Sequence, residues 1–164
     1  MKKLLIFTFV VAFFTSVAYA GSDKTPETEK HSQITYKAGT QKSFKGPEDY
    51  FTGDVRVNML FPSNDTAHYS GAYVTFQPGA RTAWHYHPAG QHIIVTSGVA
   101  LTGTRDGKII TFKESETVWC PPDIDHWHGA TPHSAMTHLV ITGNKDGKNV
   151  IWKEKVTDEQ FRGQ

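Results

Sequence analysis

Cysteine is nearly absent: Cys120 is the only one in 164 residues. A single thiol excludes an internal disulfide framework and any metal cluster built from cysteines alone. Charge of one sign is also missing. Seventeen Lys+Arg stand against 16 Asp+Glu, a formal charge of +1, and that balance argues against a nucleic-acid partner, which calls for a basic stripe. No apolar run reaches the length of a membrane span, no helical period persists over three turns, and there is neither an internal repeat nor a low-complexity segment. The remaining composition, 38% hydrophobic and 20% charged, is that of an ordinary soluble globular chain. A length of 164 residues suits one domain, able to bury roughly two-thirds of its unfolded surface. Histidine is what the chain has in excess. Of nine histidines, seven (His85, His87, His92, His126, His128, His133 and His138) fall between positions 85 and 138.

The first 20 residues read as a signal peptide. Lys2 and Lys3 precede an apolar run from Leu4 to Phe14 broken only by Thr8, and Ala18-Tyr19-Ala20 has the small-x-small form of a cleavage site. Cleavage is expected after Ala20, leaving no stable membrane span and an exported protein, periplasmic or secreted. No twin-arginine pair is present, so export of an unfolded chain and metal loading outside the cytoplasm are expected. In an oxidising compartment the lone Cys120, between Trp119 and Pro121, reads as buried. Residues 21–33 are polar and charged, which predicts a flexible linker.

From residue 34 to 164 the texture is that of one all-β domain. Short β-like runs are expected at 34–37, 56–61, 72–77, 83–87, 92–96, 99–104, 108–113, 117–120, 126–130, 135–141 and 149–155, punctuated by Gln77-Pro78-Gly79, Ser97-Gly98, Asp106-Gly107 and Asp146-Gly147. Asp-Gly predicts two-residue hairpin turns, in which both central residues take positive φ. Many short strands in one compact chain mean a sandwich or barrel. A short helical turn near the C-terminus carries Thr157 and Gln160 at capping-box spacing.

Two His-x-His pairs carry the chemistry. Alternate residues of a strand share a face, so His85 points with His87, and His126 with His128. Pro88-Ala89-Gly90 forms a turn, after which Gln91 opens the partner strand and brings an amide oxygen towards the first pair. His138 lies on a further strand with inward parity. A solitary His-x-His is more often a surface pair; two pairs bounded by Gly and Pro turns predict an imidazole cage. His31, His68, His92 and His133 point away by parity or lie in loops. Tyr86 and Trp127 alternate with the histidines and are expected to face outward. Arg81 shares inward parity with His85, but an ion pair at the barrel rim is its expected role, ahead of an anionic substrate group.

These residues together resemble the cupin superfamily. Gly79-x5-His85-x-His87-x3-Gln91-x6-Gly98 is similar to the first cupin motif, with Gln at the usual Glu position. Pro121 and His126 are similar to the second, with Asp123 replacing its central Gly and Ala130 its final Asn. Asp tolerates left-handed backbone. A narrower likeness covers Gly46-Pro47-x-Asp49-Tyr50-Phe51-Thr52-Gly53, Pro78 to Gln91, His126-Trp-His-Gly-Ala130, Ala135-Met-Thr-His138-Leu, and Asp146-Gly-Lys to Gln160. These stretches resemble the small bacterial manganese-dependent cupins that act as hydroxynitrile lyases. The resemblance implies a cupin double-stranded β-helix (jelly-roll barrel), and metal ligands at His85, His87, Gln91 and His126. It implies acid–base residues at His128 and His138, and Mn(II) as the metal. Two departures are the exported N-terminal segment and Thr142, where the family has a pocket-facing Gln.

Chemistry adds its own limits. Three neutral imidazoles and an amide leave a divalent ion its full charge of +2, whereas Glu in place of Gln91 would leave +1. Four protein ligands with two open positions suit octahedral Mn, Fe, Co or Ni over four-coordinate Zn, although loading outside the cytoplasm admits tighter-binding metals. Three functions are compatible: a metal-dependent lyase cleaving a C–C bond beside a hydroxyl, such as a cyanohydrin; a metal dioxygenase or decarboxylase-like cupin; and a non-catalytic metal- or ligand-binding barrel. Histidines beyond the ligand set favour catalysis on a small-molecule substrate. A homodimer or homotetramer is implied by the resemblance, with Trp127 and Tyr73 as candidate contacts.

Overall fold

The structure, a computed structural model, describes residues 32–164. The expected leader over residues 1–20 and most of the linker over 21–33 lie outside the described residues. The compact unit is Thr35–Gln164. Its elements are β1 (Ser43–Lys45), β2 (Phe51–Thr52), β3 (Val55–Phe61), β4 (Tyr69–Phe76), β5 (Arg81–Thr82), β6 (His85–Tyr86) and β7 (Gln91–Ser97). They continue with β8 (Val99–Thr104), β9 (Ile109–Lys113), β10 (Thr117–Cys120), β11 (His126–Ala130), β12 (Met136–Gly143), β13 (Ile151–Trp152) and α1 (Asp158–Arg162).

Two antiparallel sheets form the barrel. One has the order β1-β3-β4-β12-β7-β10; in the other, β11 is the hub, paired with β8 on one edge and with β5 and β6 on the other. All five residues of β11 are buried. Strict alternation governs β12, where Met136, His138, Val140 and Thr142 are buried and their neighbours are less so, as a strand with one face on a core requires. Phe76, Ile93, Val95, Val55 and Met136 fill the interior.

Several expectations change in detail. Residues 34–37 form no strand and are exposed; the first ladder is β1 against β3 instead, because the earlier run has no neighbour to pair with. The run 83–87 is interrupted: β5 and β6 both pair with β11, but Ala83 and Trp84 between them are not strand. Asp146-Gly147 forms the expected two-residue turn, with positive φ at both positions and reciprocal hydrogen bonds between Lys145 and Lys148. At Asp106-Gly107 only Gly107 has positive φ, so that hairpin closes through a longer loop.

A second hydrophobic cluster sits outside the barrel wall, where Trp84, Trp127, Val156 and Phe161 pack together. Here α1 begins in the expected capping box of Thr157 and Gln160 and lays Phe161 against Trp127, ring centroids 5.5 Å apart. Arg81 clamps this tail: its guanidinium donates to Asp158 at 2.6 Å and to the Val156 carbonyl at 3.1 Å. Arg81 is therefore an ion-pairing residue of the wall. Trp127 faces outward as expected, yet it is buried under α1 at 1% exposure and offers nothing to a second copy of the chain. Tyr73 remains exposed. Among the described residues no helix is long and apolar enough to cross a membrane.

Candidate metal centre

The register of β6 and β11 sets His85 directly opposite His126, and antiparallel partners point their side chains to the same side. Their ring centroids are 4.4 Å apart. His87 follows β6 with its ring 5.0 Å from His85 and 5.4 Å from His126. His128 comes two residues along β11, 5.1 Å from His85. The ring nitrogens that His85, His126 and His128 can offer lie within 4.8 Å of one another.

Gln91 does not arrive along a hairpin partner of the first His-x-His strand, as its sequence position suggests. The Pro88-Ala89-Gly90 turn is closed by a bond from Gly90 N–H to the His87 carbonyl at 3.1 Å, with Gly90 at φ 76. Beyond it β7 does not pair with β6; it belongs to the opposite sheet, between β10 and β12. The turn crosses the barrel from sheet to sheet. Gln91 and His87 therefore face each other across the interior, not along one hairpin. Asp123, standing where a glycine was expected, does take left-handed backbone, φ 63, at the turn before His126.

Hydrogen bonds settle the tautomers. Nδ1 of His85 bonds the Ala83 carbonyl at 2.9 Å, and Nδ1 of His126 bonds the Ile124 carbonyl at 2.9 Å. Nδ1 of His87 bonds the Asn149 carbonyl. A carbonyl only accepts, so each Nδ1 carries the proton and each Nε2 keeps its lone pair. This outer support is the arrangement that orients metal-ligating imidazoles. Among the described residues, Nε2 of His87, Nε2 of His126, Oε1 of Gln91 and Nδ1 of His138 are buried with no hydrogen-bond partner. Buried polar atoms left without a partner are costly. The ring nitrogens of His85, His126 and His128 lie close enough together, with unpaired acceptors beside them on His87 and Gln91, for this cluster to fit a single bound metal ion.

Burial also keeps the cluster uncharged. It lowers the His85 and His128 imidazoles well below their ordinary range, lowers His126, and takes His87 and His138 down to about 4. Neutral imidazole is the form that binds a metal.

A cavity of about 320 Å³ opens onto this cluster, lined by His85, His87, Gln91 and His128. Its remaining wall is mostly apolar. Ala72 and Val74 of β4 line it, together with Tyr50 and Trp152, whose rings stack at 4.7 Å. Among the described residues, no Lys, Arg, Asp or Glu lines it. His138 does not line it. His138 lies behind His128, its Nε2 3.1 Å from His128 Nδ1, and both rings pack on Phe76. His92 stacks outside on Trp119. The role of Asn149 and of the 149–152 segment as a wall went unread in the sequence. A polar residue ahead of a short Val-x-Trp run gives no sign that its carbonyl supports a histidine 62 positions earlier.

An all-β barrel with paired sheets and an inward cluster of histidines defines a class of small metal-binding barrels. The cupin domain family matches residues 72–142. The chain is 52% identical over 126 residues to the (R)-mandelonitrile lyase of Granulicella tundricola, covering 77% of this chain and 96% of that one. A cupin-like protein of Thermotoga maritima superposes with TM-score 0.68 at 38% identity, over 72% of this chain and 90% of its own. A polyketide cyclase from Streptomyces resistomycificus shares the fold at TM-score 0.58 and 15% identity, over 80% and 90% of the two chains. This chain belongs to the cupin family.

Proposed function

We propose that this cupin is a metal-dependent lyase that cleaves a C–C bond beside a hydroxyl, taking a cyanohydrin to an aldehyde and hydrogen cyanide. One observation carries the reading: an uncharged histidine, His128, lines an apolar cavity immediately beside a cluster of orphaned imidazole and amide acceptors. The likeness to a (R)-mandelonitrile lyase supports it, and the absence of charged side chains among the described lining residues suits a neutral substrate. His85, His87, Gln91 and His126 would hold the metal, with Mn(II) favoured. When bound, the ion supplies a Lewis acid for the substrate hydroxyl oxygen.

The chain's own residues do the rest. His128 Nε2 takes the hydroxyl proton as C–O becomes C=O, and the C–C electron pair leaves with the nitrile carbon. The same nitrogen returns the proton to cyanide, so atoms and charge balance. His128 can accept at Nε2 only while Nδ1 carries a proton, and His138 Nε2, 3.1 Å away, is the acceptor for it. In this reading His128 meets the substrate and His138 acts through it. Among the described residues, no charged side chain in the lining competes for these protons.

The test is cyanide release from racemic mandelonitrile by protein reconstituted with Mn(II), with dissolved oxygen monitored in parallel. Turnover without oxygen consumption, lost on chelation and restored by Mn(II), is the expected result. Oxygen uptake coupled to turnover would make it a dioxygenase. No turnover with Mn, Fe, Co or Ni would make it a binding module.

A further inference from the structure

Gln91 differs from the other proposed ligands in having a wrong end. An imidazole whose Nδ1–H is fixed by a carbonyl can present only its Nε2 lone pair. A primary amide can turn over, exchanging an oxygen that ligates for an NH₂ that never does. Something in this chain must choose. Gln91 and Thr142 are direct partners in the ladder between β7 and β12, both buried, at 4% and 6% exposure. Gln91 Nε2 donates to Thr142 Oγ1 at 2.9 Å, while Gln91 Oε1 is the buried atom without a partner. Turning the amide over would bring its NH₂ towards the free imidazole lone pairs, which would accept from it. With no metal bound, that inverted amide competes with the ligating one.

We infer that Thr142 is a positioning residue for the metal centre, holding the Gln91 amide with its oxygen inward by accepting from its NH₂. The inference rests on the reading of Gln91 as a ligand. It explains why a short hydroxyl serves here: the side chain reaches Gln91 across one ladder rung and leaves the cavity beyond it open. A hydroxyl also donates, so the same residue would support a carboxylate in place of the amide.

The experiment measures affinity for Mn(II) and Co(II) alone, by chelator competition, in the full-length folded protein, with melting curves as a check on folding. Thr142→Val keeps the shape and removes the acceptor, so affinity should fall about 10-fold, as for loss of an outer-sphere partner. Thr142→Ser should restore it, which a purely packing role would not predict. Thr142→Ala replaces the Val variant should that one fold poorly. In a Gln91→Ala background the Val substitution should cost nothing further. In a Gln91→Glu background its cost should shrink, because a carboxylate has no wrong end. Gln91→Ala with unchanged metal affinity would overturn the ligand reading itself. Gln91→Ala with weakened affinity but Thr142→Val at the wild-type level would overturn this inference alone. An equal Val penalty with and without Gln91 would overturn it too, since the effect would then bypass the amide.

Discussion

Lowering the pH from 7 to 5 should destabilise the metal-free protein by several kcal/mol, well before its carboxylates titrate. Burial takes His87 and His138 down to about 4, whereas an imidazole in the unfolded chain titrates near 6.5. The folded pKa lies below the unfolded one, so the unfolded chain binds protons first. The stability from keeping these rings neutral is therefore complete above about pH 6.5 and is lost as the pH falls towards 4. At pH 5 an unfolded imidazole is protonated about thirty to one, so each of the two rings costs about 2 kcal/mol between pH 7 and 5, and the pair about 4 kcal/mol. His85, His126 and His128 are shifted the same way, also chiefly by burial, and deepen the fall. Against a usual total of about 5–15 kcal/mol, that is a large fraction. Urea unfolding of chelator-treated protein at the two pH values reads it directly, as a drop in midpoint at constant slope. His138→Gln should remove about 2 kcal/mol of the difference, since only one titrating ring is lost. Added Mn(II) should raise the midpoint more at pH 7 than at pH 5, where protons compete for the same nitrogens. Equal metal-free stability at pH 7 and 5 would refute the reasoning, as would full pH dependence in His138→Gln.

Three further outcomes follow from the same geometry. His138→Ala should keep metal content, measured by elemental analysis, while mandelonitrile turnover falls roughly 10²–10⁴-fold as for a lost acid–base partner; loss of metal together with activity would make His138 structural or a ligand. Gln91→Glu should tighten Mn(II) binding and slow turnover, because the carboxylate cancels one unit of the ion's charge; faster turnover in this variant would count against the Lewis-acid role. Gly129→Ala would set a Cβ 2.4 Å from the Ala80 carbonyl oxygen and 2.8 Å from Arg81 Cα, backbone that cannot move aside, so it should cost about 1–3 kcal/mol. An unchanged melting temperature would show that β5 and β11 are not so closely apposed.

By itself the sequence determined what depends on neighbours a few residues apart. Two His-x-His pairs share a face because strand side chains alternate, and β12 shows the same alternation in every residue from Met136 to Gly143. Positive φ at Asp123 and at Asp146-Gly147, and the Thr157–Gln160 capping box, are likewise local chemistry, legible without a fold. Only the tertiary structure decided which face meets which. It sent β7 to the sheet opposite β6, put Trp127 under α1 where parity said only "outward", and set His138 behind His128 instead of against the cavity. It joined His87 to the Asn149 carbonyl and Gln91 to Thr142, pairs 62 and 51 positions apart. The alternation of a strand says which way a side chain points but not what stands across from it. That is set by register and by the packing of one sheet on the other, where burial and shape of the whole chain select a single pairing.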